Sequence, residues 1–129
     1  MKTILIVDRD LGFVLWLGHI LNKSGSVALP ATSIAEAAEM VSLLGVRVDV
    51  LIAAPGEEGV REFVEELRLA SPDLQLVGVG IEEHPPRAIP FPEAVWKPGP
   101  RRGDEAIRGE WVTLIGEMAS SRLSLAFDN

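Results

Sequence analysis

The stretch "ILIVDRD", residues 4–10, decides the fold class. Its four aliphatic residues indicate a strand buried on both faces, and such strands occur in parallel sheets that are covered by helices. The strand runs directly into Asp8, Arg9 and Asp10. Acids at the end of a buried strand indicate a ligand site at that edge of the sheet. The arginine is the unexpected residue, because it places a permanent cation between two acids.

The composition is that of one globular domain. The chain has 129 residues, 47% hydrophobic and 24% charged, which is long enough to bury a core. The net charge is -7, and the only basic cluster is Arg101 with Arg102, so we expect no nucleic-acid binding. The absence of cysteine excludes disulfides and thiolate metal sites. No apolar run is long enough for a membrane span and no signal-peptide pattern opens the chain, so we expect a cytoplasmic protein without membrane contact.

Strand-like runs alternate with helical stripes along the chain. Helical segments end at Gly25 and Gly45, and the last helical stripe reaches Met118. Alternating strands and helices predict right-handed crossovers and a parallel sheet with helices on both faces. The strand-like runs are residues 3–7, 27–29, 48–53, 74–79 and 94–96.

These pieces, in this order, resemble the receiver domain of two-component response regulators. The resemblance is carried by "ILIVDRD", by "LNKSGSVALPATSIAEAAEMV" at 21–41, by "VRVDVLIAAP" at 46–55 and by "VWKPG" at 95–99. It implies a flavodoxin-like, doubly wound, five-stranded parallel sheet in the order 2-1-3-4-5, with the active crevice at the carboxyl ends of the strands. We expect a receiver-like domain over residues 1–122 and a flexible tail over residues 123–129.

The resemblance also implies a phosphorylation pocket of five side chains. In the family, two acids after the first strand help to hold magnesium, and an aspartate at the end of the third strand accepts the phosphoryl group. A hydroxyl after the fourth strand and a lysine after the fifth contact the phosphoryl oxygens. The matching positions in this sequence are Asp8, Arg9, Ala54, Gly80 and Lys97, so only Asp8 and Lys97 keep the family's residue type.

The three replacements remove the pocket's chemistry. Arg9 has only hydrogen-bond donors and a fixed positive charge, whereas magnesium needs oxygen ligands. Ala54 has no nucleophile, and Gly80 has no hydroxyl for a switching hydrogen bond. We therefore predict a pseudo-receiver that is not an enzyme, needs no metal or cofactor, and acts as a protein–protein interaction module in signalling.

Two other functions stay open at this point. One is a response regulator that accepts phosphate on an unconventional acid, although Asp49 lies at the opposite end of the third strand and Glu57 and Glu58 lie beyond its end. The other is a small-ligand sensor that uses the vestigial crevice. Magnesium affinity and labelling by acetyl phosphate separate the first from a pseudo-receiver.

The two cationic positions of the pocket each have two interpretations. Arg9 either occupies the vacated metal site, paired with Asp8 and with Asp10 or Glu57, or it points into solvent. Lys97 either pairs with Asp8 or persists because Pro98 sets the following turn.

The first helix is unusually apolar. Phe13, Trp16, Leu17 and Ile20 form its expected core stripe, which turns Leu11, Val14 and Leu15 outward. A contiguous apolar patch is more often a contact surface, so these three residues are the predicted site of a protein partner or of self-association. The alternative is scattered surface leucines, which are common.

A proline-rich segment separates the fourth and fifth strands. Residues 81–94 read "IEEHPPRAIPFPEA", with four prolines. Interior proline destabilises a helix by about 3 kcal/mol and disfavours helical backbone in the residue before it. We therefore predict that the fourth helix of the family is shortened or absent here.

Overall fold

The computed structural model describes residues 2–80, 94–100 and 102–128, with side chains described as far as Met118. Its strands are β1 (Thr3–Val7), β2 (Val27–Ala31), β3 (Val50–Ala53), β4 (Gln75–Val79) and β5 (Val95–Lys97). Its helices are α1 (Leu11–Lys23), α2 (Ile34–Leu44), α3 (Val60–Ala70) and α4 (Glu105–Asp128).

The five strands form one parallel sheet in the order β2-β1-β3-β4-β5. This is the flavodoxin-like order that the sequence predicts, and that prediction is confirmed. Val7 of β1 pairs with Ala53 of β3, which in turn pairs with Gly78 of β4. The carboxyl ends of these strands therefore meet at one edge, where the sequence places the pocket.

Two apolar layers enclose the sheet. Alternate strand residues point to opposite faces, so Leu5 and Leu51 pack with α2 and α3, whereas Ile6 and Ile52 pack with α1 and α4. The central strands are buried on both sides for this reason, as their uniformly apolar sequences predict.

Local signals fix where the helices begin and end. Asp10 accepts a hydrogen bond from the Phe13 N–H and caps α1, and Ser33 accepts one from the Glu36 N–H and caps α2. Gly45 ends α2 in the left-handed conformation that glycine tolerates best.

The strand β2 lies at one edge of the sheet. Val27 directs its N–H to the carbonyl of Lys2 and so faces β1. In a parallel ladder the alternate residues, Ala28 and Pro30, turn their nitrogens outward. The Ala28 N–H donates to the Asn22 side-chain oxygen at 3.0 Å, and proline has no N–H.

Two predictions concern the carboxyl-terminal half. The backbone of α4 is helical through Asp128, and the expected flexibility of residues 123–129 stays a prediction. No glycine or proline occurs between residues 117 and 129 to end the helix earlier. The proline-rich segment falls almost wholly outside the described residues, so the loss of a helix there stays a prediction.

Within the described ranges, no helix is both long and apolar enough to cross a membrane.

Candidate functional site

The five pocket positions lie at the carboxyl edge of the sheet. Asp8 and Arg9 follow β1, Ala54 follows β3, Gly80 follows β4, and Lys97 ends β5. The strand register sets these ends side by side, because Val7 pairs with Ala53 and Val79 pairs with Lys97. The fold thus brings the five predicted positions together at one edge of the sheet, and the side chains determine what they can do.

Asp8 is the one acid among the five pocket positions, and it is a buried residue of the β1–α1 turn. Its Oδ1 accepts a hydrogen bond from the Asp10 N–H at 2.8 Å, and its own N–H donates to the Ala31 carbonyl. Asp10 in turn caps α1. These contacts give Asp8 a structural function in shaping the start of α1.

Arg9 extends into solvent and reaches one acid. Its side chain is 79% exposed, and its Nε lies 3.7 Å from Oε1 of Glu57 on the loop before α3. Glu57 is one of the acids that the sequence suggested as its partner. The exposure of Arg9 favours the solvent-facing interpretation, with a weak ion pair across the mouth of the pocket.

The exposure of Arg9 sets the expected effect of removing it. The Arg9 side of its ion pair is exposed, whereas the Glu57 side chain is only 10% exposed. We expect Arg9→Ala to change the free energy of unfolding by about 1 kcal/mol or less, because solvent screens the Arg9 charge and the two groups are 3.7 Å apart. Urea denaturation with and without magnesium measures the effect, and Arg61→Ala on the exposed face of α3 is the matched control. A loss above about 3 kcal/mol, in the range of a broken buried pair, would mean that Arg9 is a buried counter-ion.

Ala54 closes the acceptor position with a methyl group. It packs against the apolar layer between the sheet and α1 and α4. Its carbonyl accepts a hydrogen bond from the Glu57 N–H, which begins the turn towards α3. The other acid of this strand region, Asp49, lies at the opposite end of the sheet, where its Oδ2 accepts from the Thr3 N–H at 2.9 Å.

Gly80, the hydroxyl position, lies under the ring of Trp96. A Cβ built on Gly80 would be 2.5 Å from Cη2 and 2.7 Å from Cζ2 of Trp96, distances that real Cβ atoms do not show. Any side chain at this position therefore requires the indole to move. The contact between Trp96 and Gly80 was not predicted from the sequence. The motif "GVG" at 78–80 could have indicated it, because it places two glycines on the same side of the chain, beside the strand that carries Trp96.

Lys97 is directed towards α4. Its Nζ lies 2.7 Å from Oε1 of Glu110, donates to the Pro98 carbonyl at 3.2 Å, and is 5.4 Å from the ring centroid of Trp111. Trp111 is fully buried and packs against Phe13. The ion pair with Glu110 and the contact with the Trp111 ring thus hold the Lys97 ammonium group against α4. Neither interpretation of Lys97 from the sequence included Glu110.

The predicted contact surface on α1 needs one correction. Leu11 and Leu15 are 56% and 53% exposed, whereas Val14 is 0% exposed. The prediction for Val14 was wrong, because the helix turns Val14 and Gly18 towards the sheet and leaves Trp16 only half-buried. Gly12, which lies between these leucines on α1, is close to Arg102, whose Nη1 would be 2.7 Å from a Cβ on Gly12.

Two further features complete the site. In the part of the chain that the structure describes, no three His, Cys, Asp or Glu side chains lie close enough together to hold a metal ion. An open groove of about 450 Å³ runs between β5 and α4. Of the five pocket positions it includes only Lys97, and its other lining residues include Trp96, Pro98, Glu110, Thr113 and Leu114.

Comparison with known proteins finds likeness in structure. No family model and no curated protein sequence matches the chain. The chemotaxis response regulator CheY4 of Vibrio cholerae superposes with a TM-score of 0.66 at 19% identity, over 89% of this chain and 98% of that one. A CheY-like receiver domain protein of Methanospirillum hungatei gives 0.65 at 17% identity, over 100% and 99%.

The response regulator TrrA of Thermotoga maritima is a third structural neighbour. Its complex with Mg²⁺ and BeF gives a TM-score of 0.60 at 20% identity, over 85% of this chain and 96% of that one. A structure of the histidine kinase ThkA in complex with TrrA also matches, with a TM-score of 0.60 at 21% identity, over 82% and 92%. The chain therefore has the fold of CheY-like receiver domains.

Proposed function

We propose that this chain is a receiver-like domain that carries no phosphoryl group and acts in signalling by binding other proteins. The observation that carries the proposal is the methyl group of Ala54 at the acceptor position, packed into the apolar layer beside α1 and α4. A methyl group cannot attack phosphorus. The neighbouring positions support the proposal, because Trp96 covers Gly80 and Glu110 binds Lys97.

Electrostatics supports the same conclusion. TrrA was solved in complex with Mg²⁺ and BeF. In this chain Arg9 brings a permanent positive charge to the corresponding edge, where a divalent cation would need oxygen ligands. The chain thus lacks an acid of the ligand set as well as the acceptor.

Incubation with radiolabelled acetyl phosphate and magnesium tests the proposal directly. We expect the protein to take up no label above background, because no carboxylate occupies the acceptor position. A receiver domain with an intact acceptor aspartate, treated in parallel, shows that the reagent is active. Stoichiometric acid-labile label on this chain would exclude the proposal and support an unconventional acceptor acid.

The outer face of α1 is the surface that we propose for the partner. Leu11 and Leu15 are exposed in its first two turns, and the guanidinium group of Arg102 lies beside Gly12 in the first of these turns. A cation beside an apolar pair is complementary to a partner with an apolar stripe and an acidic flank. The ThkA–TrrA complex is a precedent for a protein partner of this fold.

A double substitution tests this surface. We expect Leu11→Glu with Leu15→Glu to weaken self-association or partner binding at least about tenfold, because burying each leucine contributes about 1.5–3 kcal/mol before association entropy is subtracted. Sedimentation over a concentration series measures self-association, and titration calorimetry measures a partner isolated by affinity capture. Leu43→Glu with Leu69→Glu is the matched control, since both leucines are exposed on other helices. Equal losses in both pairs would contradict the assignment to α1.

A ligand sensor is the second candidate, and the groove between β5 and α4 is the observation that favours it. The groove joins the apolar surfaces of Trp96 and Leu114 to the charged groups of Lys97 and Glu110, a mixture typical of small-molecule sites. A thermal-shift screen with cellular metabolites tests it. A ligand whose effect is abolished by Thr113→Trp, which would fill the groove, would favour the sensor over the interaction module.

A further inference from the structure

Trp96 lies across two positions without a side chain, Gly78 in β4 and Gly80 just after it. In the strand register Trp96 pairs with Gly78. Gly78 and Gly80 are two residues apart, so they face the same side of the sheet. A Cβ on Gly78 would lie 3.1 Å from Cε3 of Trp96, and a Cβ on Gly80 would meet the opposite rim of the same six-membered ring. The indole therefore extends along β4 and covers both glycines.

The backbone at this edge is closed around the indole. The Gly80 N–H donates to the Lys97 carbonyl at 3.4 Å, which continues the ladder beyond the end of β4. Pro55, on the loop after β3, lies beside the same face, with its Cγ 3.7 Å from a Cβ on Gly78. Lys97, the next residue along β5, is bound to Glu110 of α4. Lys97, the residue after Trp96, is therefore bonded both to Gly80 at the end of β4 and to Glu110 on α4.

We propose that Trp96 locks the β4–β5 edge in a single conformation, so that the surface formed by β5 and α4 does not respond to events at the crevice. A packed element switches only if it has two discrete arrangements. At Gly80 the space that a switching side chain would use is filled by the indole, and the glycines offer no side chain to exchange with it. The inference rests on the proposed function, and it adds that the β4–β5 edge keeps the same conformation throughout.

Two NMR measurements test the lock: relaxation dispersion, which reports millisecond conformational exchange, and amide hydrogen exchange, which reports slower opening. We expect the wild type to show no millisecond exchange at residues 77–80 and 95–97. Trp96→Ala should introduce such exchange and speed hydrogen exchange at these amides by about tenfold or more relative to β1. Leu67→Ala, a cavity in the opposite apolar layer, is the control for general destabilisation. A wild type that already exchanges at this edge, or a Trp96→Ala pattern identical to that of Leu67→Ala, would overturn the proposal.

A coupled pair of variants tests the contact itself. Gly80→Ala should lower the melting temperature of the wild type, because its Cβ has no space beneath the indole. In the Trp96→Ala background the same change should have little effect, because the indole is absent. Equal effects in both backgrounds would show that the indole does not cover Gly80 and would overturn the lock.

Failure of the lock and failure of the proposed function are separable. Acetyl phosphate labelling can remain negative while the β4–β5 edge proves mobile, which would remove only the lock. Acid-labile label on a protein whose β4–β5 edge is rigid would exclude the proposed function but would leave the lock supported.

Discussion

Val14→Glu is expected to destabilise the protein strongly. Val14 is fully buried in the apolar layer beside Phe13, Leu17 and Trp111. Replacing it removes an apolar side chain from the core and places a carboxyl group among apolar neighbours. We expect a loss of at least about 3 kcal/mol, against a typical total stability of about 5–15 kcal/mol. Circular dichroism during urea denaturation measures the loss.

Leu15→Glu is the matched control for that substitution. Leu15 is the adjacent residue of the same helix but is exposed, so the same change should alter stability by less than about 0.5 kcal/mol. The contrast between neighbouring positions reports which face of α1 is buried. If Val14→Glu were as stable as Leu15→Glu, Val14 would be on the contact surface after all.

Rebuilding the phosphorylation pocket is expected to require four changes. Arg9→Asp, Ala54→Asp and Gly80→Thr restore the missing residue types, but threonine at position 80 collides with the indole of Trp96. Overpacking of this kind destabilises by about 1–3 kcal/mol. Adding Trp96→Val makes room for the threonine, so we expect magnesium-dependent, acid-labile label from acetyl phosphate only in the fourfold variant.

The threefold variant that keeps Trp96 is the control, and it should be less stable and take up little label. Magnesium binding by isothermal titration separates recovery of the acidic ligand set from recovery of the acceptor. If the threefold and fourfold variants label equally, Trp96 does not obstruct the hydroxyl position, and the account of Gly80 is wrong.

The fold was predictable because its signals are local and agree with one another. Residues 4–7 are uniformly apolar since β1 is buried on both faces, and Gly45 ends α2 as expected. The strand order follows from alternating strands and helices together with the resemblance to receivers. Such patterns are written in consecutive residues, so they can be read without knowing distant contacts.

The rotation of α1 was not predictable in the same way. The segment "LGFVLWLGHIL" at 11–21 is apolar on almost every side, so more than one stripe satisfies the helical period. The structure selects the face that includes Gly18, whose Cβ position would be in contact with Ile6 and Pro30. The sheet determines this choice, since the helix approaches it closely only where its side chain is small.

The residue types at the pocket positions are visible in the sequence, but their contacts are not. Ala54 and Gly80 offer only a methyl group and a hydrogen atom, so the lack of phosphoryl chemistry stays a prediction from residue type. The partners of Lys97 and Gly80 are Glu110 and Trp96, which lie on other elements and come close only in the folded chain. Sequence spacing alone does not reveal such pairs.

The outer edge of β2 offers an incoming strand few hydrogen-bond donors. An exposed strand edge is a template for pairing with another strand, and this is a common route to aggregation. Here the outward positions are Ala28, whose N–H is bound to Asn22, and Pro30, which has none. An incoming strand would find no donors on this side, so the sheet is protected from sheet-to-sheet polymerisation there even in variants that weaken the core.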